Sequence, residues 1–411
     1  MTYHDPRLVA EDLRNHLAMH DKKLCFLFGA GTSCSVNIAP NPKPGEKKQY
    51  IPLIPAIEGL SATCKKEINR LGEEYSNAWD LLSQQCEEGN ILVNVENILS
   101  KVRIKISAIG PNEKLVGLEK NSLITFEQTV CKTIAKVVNP DIPEFTPHLE
   151  FASWIRKVHR NAPIEVFTTN YDMLLETAFE AERVPVFDGF VGTNKPFFYP
   201  ECLDDESLLP KANWVRMWKL HGSVNWITDL IGSKERIIRT LPSTSGELIL
   251  PSESKYDESR KQPYSSYMDR LAKILNTEHS ILIICGYSFG DQHINSILYG
   301  ALLNNKTTNI ISLQYETLDK TGDLAKKAIS HPNLTLIAPN GGVIAGAWGD
   351  WRLIQPVDEK TFTFMDSAFD SNAQPEESSA ASNQENLSGE MRLGDFNWFC
   401  RFLNAMGLSS S

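Results

Sequence analysis

The sequence has no uninterrupted apolar run approaching the roughly 20 residues that span a bilayer, which argues against a helical membrane protein. Its eight cysteines (Cys25, Cys34, Cys64, Cys86, Cys131, Cys202, Cys285 and Cys400) are scattered and never form a C-x-x-C pair. That spacing supports neither a disulfide framework nor a zinc ribbon. Positive charge is also short: 41 Lys and Arg against 51 Asp and Glu leave a net charge of −10. A broad nucleic-acid surface would need clustered basic residues to replace phosphate counterions, so none is expected. The opening residues, Met1 to Pro6, lack the basic and apolar regions of a signal peptide, and a cytoplasmic location is the expectation.

What is present fits a globular protein of 411 residues, more than one compact core usually absorbs. Leu24 to Phe28 is a wholly apolar run closed by Gly29-Ala30-Gly31, the pattern of a buried parallel strand entering a tight turn. Ile164–Thr168, Trp214–Leu220, Ser280–Cys285, Asn309–Leu313 and Leu334–Ile337 read as further core strands, with a helix over Met173–Phe179. Pro40–Lys48 reads as an exposed loop. From about 57 to 145 the spacing is helical, which predicts a helical insertion, and 184–251 reads as an irregular second lobe. Strands alternating with helices predict an α/β fold, a Rossmann-like doubly wound parallel sheet. The expected division is a domain over 1–365, a flexible linker over 366–391 and a docking segment over 392–411. The linker expectation rests on Asp370–Glu390, which is rich in Ser, Ala, Asn, Gln and Glu and holds no Lys or Arg.

Four segments sit where strands end, the place where open α/β sheets bind ligands. Gly29-Ala30-Gly31-Thr32-Ser33 offers backbone that can approach a phosphate, with two hydroxyls beside it. Cys34 stands where a third glycine would complete G-x-G-x-x-G, and no ribose-binding acid follows about 20 residues later, unlike an ordinary dehydrogenase. Thr168-Thr169-Asn170-Tyr171-Asp172 places an amide and a carboxylate two residues apart; Asp172 also suits the cap of the following helix. His221 in Leu220-His221-Gly222-Ser223 is a histidine with a glycine beside it, suited to proton exchange near neutral pH. Gly286-Tyr287-Ser288-Phe289-Gly290-Asp291 is a second glycine-bearing loop, with Asp291 as the expected cap of the next helix and His293 and Asn295 as structural residues.

In this order, GAGTS, TTNYD, HGS and GYS resemble the sirtuin family. Ile51-Pro52-Leu53-Ile54-Pro55 adds to the likeness, displaced by an inserted loop. The resemblance implies that Gly29, Ala30, Gly31, Thr32 and Ser33 hold the pyrophosphate of NAD. It places Thr169, Asn170 and Asp172 at the nicotinamide ribose and nicotinamide, His221 as general base, and Gly286, Ser288 and Phe289 on the adenosine side. Protein-deacylating sirtuins carry a four-cysteine zinc module after the HG motif, whereas only Cys285 lies between His221 and Phe399 here. TTNYD and GYSFGD resemble instead a zinc-free bacterial branch whose members deplete NAD in antiphage defence, alone or with a HerA-type ATPase or a prokaryotic Argonaute.

These features predict an NAD hydrolase releasing nicotinamide and ADP-ribose, with NAD as substrate, no zinc, and a homo-oligomeric or partner-bound state. The alternatives are a module that binds NAD or ADP-ribose without turnover and an NAD-dependent protein deacylase. The terminal Phe396, Trp398, Phe399, Phe402, Leu403 and Met406, with Asp395 as helix cap, form a surface too apolar to be left in water, and docking on a second chain is expected.

Overall fold

The computed structural model describes residues 2–40, 49–232, 234–243, 262–355, 364–373 and 387–406. The loop expected over Pro40–Lys48 therefore lies almost wholly outside the described residues.

The apolar runs form the centre of a ten-stranded sheet. Across it the order is Tyr3–His4, Ala347–Trp351, Gly341–Ile344, Leu334–Ala338, Asn309–Leu313, Ser280–Cys285, Lys23–Phe28, Ile164–Thr168, Val215–Lys219 and Val186–Phe187. Among the described strands of this sheet, only Gly341–Ile344 runs against the others. The fold is a mixed α/β, Rossmann-like architecture. From the Lys23–Phe28 strand the chain steps outward to Ile164–Thr168 and Val215–Lys219. It then returns to the other side of Lys23–Phe28 and builds outward from Ser280–Cys285. The switch point lies between Lys23–Phe28 and Ser280–Cys285, where the connections leave in opposite directions and open a crevice. Register brings the strand ends level: Cys285 pairs with Phe28, Phe28 with Thr168, and Thr168 with Lys219. Four loops therefore emerge level with one another.

Both faces of the sheet are covered, which is why its central strands are mostly apolar instead of alternating. Phe26 and Phe28 face a layer that includes the helices Pro6–Ala18, Pro147–Lys157 and Leu174–Ala181. Cys25 and Leu27 face the opposite layer, with the helices Tyr264–Leu275 and Gln292–Asn304. Four helices, Ile57–Asn69, Glu73–Glu88, Val95–Ala108 and Lys120–Val137, close around their own core of Leu60, Trp79, Leu99, Phe126 and neighbours. That core reaches the sheet through Tyr171, Leu174 and Val224, residues that flank the loops of interest. The stretch read as an irregular lobe holds a small antiparallel sheet of Phe190–Val191, Phe197–Phe198, Lys234–Arg239 and Trp226–Ile231.

The C-terminal segment corrects two expectations. Asp395 caps the helix Phe396–Ala405 through the Asn397 amide at 2.9 Å, as its sequence predicts. The apolar face of the helix packs into the core of its own chain. Phe396, Phe399, Phe402 and Leu403 are buried in the core beneath the central strands, with Phe396 5.2 Å from Phe28 and Phe399 6.4 Å from Phe26 between ring centroids. The central strand presents two phenylalanines to that layer, and the amphipathic helix covers them. Trp398 stays half-buried between Arg392 and Arg401. The ends of the stretch expected to be a linker are structured: Met365–Ala368 is helical, and Phe369–Asp370 pairs with Glu390–Met391. Its middle, 374–386, lies outside the described residues.

Candidate functional site

At the switch point the two glycine loops touch. Gly29 N donates to Cys285 O (3.1 Å) and Gly31 N to Gly286 O (2.9 Å). A Cβ on Gly29 would stand 2.4 Å from Gly286 O, and one on Gly286 would stand 2.5 Å from Thr32 N. Gly286 also has φ +69°, a conformation costly for any residue with a Cβ. The glycines are thus required by backbone-to-backbone packing between the loops. Ala30, Gly31 and Ser288 are exposed at the rim, and Phe289, at φ +58°, is half-buried against Tyr287. Thr32 and Ser33 are buried beneath the loop, where Thr32 Oγ1 donates to Gly29 O (2.9 Å).

The next loop is fastened to the first. Thr169 N donates to Phe28 O (3.0 Å). Asn170 Nδ2 lies 3.1 Å from Gly29 O, 3.1 Å from Thr32 Oγ1 and 2.8 Å from Ser33 Oγ. A carbonyl oxygen only accepts, so the amide orientation is fixed with Nδ2 inward, and Oδ1 is left without a donor among the described residues. Asp172 accepts from Ser33 Oγ (2.6 Å) on Oδ2 and from Leu174 N (3.0 Å) on Oδ1. The helix begins at Leu174 with Met173 at the cap position and no side-chain cap, so Asp172 does not cap it as expected but accepts from its first amide in a turn just ahead of it. One carboxylate therefore ties the glycine loop to the helix start.

His221 is buried two residues past the Val215–Lys219 strand, followed by Gly222 at φ +102°. Its Nε2 is 3.1 Å from Asp291 Oδ2, and its ring centroid is 6.4 Å from that of Tyr171. Asp291 Oδ1 at the same time accepts from His293 N (2.7 Å) and Ile294 N (3.1 Å), capping the helix Gln292–Asn304 as expected. The structure thus brings His221 together with an acid that its sequence marks only as a cap. A second unforeseen residue is Lys219, buried at the end of its strand. It donates to Tyr171 O (3.3 Å), to Asp172 O and to Glu176 Oε1 (2.8 Å). Burial pushes the Glu176 carboxyl up, and the Lys219 ammonium holds it down in part. Lys219 lay unnoticed in an aromatic strand, although a lysine inside an apolar run signals a buried partner.

Among the described residues, two buried polar atoms nearby, Tyr171 Oη and Asn225 Oδ1, have no hydrogen-bond partner. Cys34 beside the glycine loop is unsuited to redox chemistry, because burial pushes its thiol up to about 11. Among the described residues, no group of three or more His, Cys, Asp or Glu is placed to hold a metal ion. A cavity of about 770 Å³ lies elsewhere, between the first helix and the strand starts at Asn309 and Thr335, and is lined by none of these residues.

Residues 164–337 match a family model described as a SIR2-like domain. The match runs from the Ile164–Thr168 strand through the Leu334–Ala338 strand and takes in Asn170, Asp172, His221, Gly286 and Asp291. It supports a sirtuin-like family and NAD-related chemistry in general. The Gly29–Ser33 loop lies outside the matched span but is bonded to it through Asn170, Asp172 and Gly286. No curated protein matches the chain.

Proposed function

We propose that this chain is an NAD hydrolase that cleaves the nicotinamide–ribose bond to give nicotinamide and ADP-ribose. The observation that carries this reading is the convergence of Asn170, Asp172 and His221 around the paired glycine loops at the switch point, with no donor to Asn170 Oδ1 among the described residues. In this reading the backbone of Gly29, Ala30 and Gly31, with Thr32 and Ser33 beneath, holds the pyrophosphate. Thr169 and Asp172 lie at the nicotinamide end, and Gly286, Ser288 and Phe289 at the adenosine end. When the C1′–N bond breaks, nicotinamide leaves with the bonding pair and positive charge develops on the ribose. Asn170 Oδ1 accepts from water or a ribose hydroxyl and so places the attacking oxygen. Water adds to C1′, and His221 takes the proton it sheds.

The zinc-free branch that TTNYD and GYSFGD resemble suggests a wider setting: a restrained NAD-depleting effector of bacterial antiphage defence, located in the cytoplasm. There it acts without zinc, as a homo-oligomer or with a HerA-type ATPase or other defence partner. The proposed division assigns the NAD site to residues 1–365.

Replacement of His221 and of Asn170 by alanine tests the site. Each variant is expected to abolish nicotinamide release from NAD. Asn170→Ala also strips a donor from three buried oxygens and should cost about 1–3 kcal/mol of stability, so His221→Ala is the cleaner variant. Wild-type turnover in both variants, with circular dichroism unchanged, would remove these residues from the mechanism.

A further inference from the structure

We infer that Asp291 is the positioning residue for His221, and that it makes Nδ1, not Nε2, the nitrogen that accepts the proton. The inference rests on the reading of His221 as the proton acceptor. Asp291 Oδ2 stands 3.1 Å from His221 Nε2, and both side chains are largely withdrawn from solvent, 9% and 8% exposed. An ionised carboxylate only accepts, so a neutral imidazole facing it must carry its hydrogen on Nε2. That leaves the lone pair on Nδ1. When Nδ1 takes a proton, the imidazolium is stabilised by the carboxylate already bonded to it, the same division of labour as in an acid–histidine pair of a hydrolase triad.

The carboxylate is itself held on its other side. Oδ1 accepts two backbone amides at the start of the thirteen-residue helix Gln292–Asn304, where the helix dipole favours a negative charge. The backbone of Asp291 is fixed in turn: its carbonyl accepts from Tyr287 Oη (3.1 Å), which also bonds Asn295 Oδ1 (3.0 Å), while Asn295 Nδ2 donates to Phe289 O (2.7 Å). Asp291 therefore links the loop that carries His221 to the loop that carries Gly286, across the switch point.

The double duty of Asp291 supplies a clean variant. Asparagine is as good a helix cap as aspartate, so Asp291→Asn keeps the helix start. Capping commits its Oδ1 to the two amides, which turns Nδ2, a donor, toward Nε2 of His221. The imidazole must then carry its hydrogen on Nδ1 and loses the accepting lone pair. The test measures nicotinamide release by the full chain and, separately, the His221 tautomer by ¹⁵N–¹H correlation, with the signal assigned by its loss in His221→Ala. The expected result is Nε2–H in the wild type and Nδ1–H in Asp291→Asn. With it, kcat should fall on the order of 10²–10⁴-fold while KM changes less than about threefold. Asp291→Ser, which also caps but cannot reach the ring, should lose kcat similarly. Nδ1–H in the wild type, or undiminished kcat in Asp291→Asn, would each overturn the inference. Nε2–H in a protein that turns over no NAD would uphold the pairing and refute the hydrolase reading alone.

Discussion

Phe399→Ala tests whether the C-terminal helix belongs to the core of its own chain. Phe399 is fully buried, with its ring 6.4 Å from Phe26 on the central strand, and its helix lies along Pro147–Lys157. Truncating a phenylalanine in such a place removes its transfer free energy and leaves a cavity, typically about 3–5 kcal/mol. A protein of ordinary stability has about 5–15 kcal/mol to lose, so the variant should forfeit a large part of it. The loss should be independent of protein concentration, because the helix covers strands of the same chain. It should also reach the site. Asn397 Nδ2 donates to Ser35 O (3.0 Å), just past the glycine loop, and Phe396 packs on Phe28, whose carbonyl holds Thr169 N. Urea denaturation at two protein concentrations, with mass by light scattering and NAD turnover below the transition, reads all three effects. A loss under about 1 kcal/mol, or a midpoint that falls with dilution as the mass drops, refutes docking within the chain.

Two other perturbations probe the site from beneath. Gly286→Ala puts a Cβ 2.5 Å from Thr32 N at φ +69°, so the two loops must part. We expect a destabilisation of about 2 kcal/mol or more and weaker NAD binding by calorimetry; wild-type values for both would show that the loops do not meet this way. His148 is buried against Phe396, and burial lowers its pKa to about 4, offset only in part by Asp172. The folded state thus keeps His148 neutral where the unfolded chain, with a pKa near 6.5, binds a proton. Its contribution is complete above about pH 6.5 and falls by on the order of 3 kcal/mol as the pH drops to about 4. Denaturation midpoints should show this slope in the wild type and a smaller one in His148→Gln; equal slopes would dismiss His148 as the cause.

The parts legible in the sequence are those whose cause is local. Ile281–Cys285 is a continuous apolar run closed by glycine, and Ile164–Thr168 is apolar but for Glu165 and Thr168, because central parallel strands are buried on both faces. Asp395 and Asp291 read as caps because capping is a contact over two or three residues. Causes that act at a distance were not legible. The hairpin of Gly341–Ile344 and Ala347–Trp351 has too few side chains to signal a strand, and Gly341 and Gly342 are required by Trp348, Trp351 and the Leu336 carbonyl lying against them. Asp291 reaches His221 across 70 residues while its cap disguises it, and Asn170 reaches the glycine loop across 137 to 141 residues. The amphipathic terminal helix announced that it must dock, but its partner, the two phenylalanines beneath the central strand, appears only once the sheet is assembled.

The most direct test of the central claim is product analysis by mass spectrometry after incubating the purified full chain with NAD, with and without an acyl-lysine peptide and a candidate partner. The account predicts nicotinamide and ADP-ribose in equal amounts without any peptide, and none from His221→Ala. Nicotinamide released only when the peptide is present, or NAD bound by the wild type and returned intact under every condition, would contradict it.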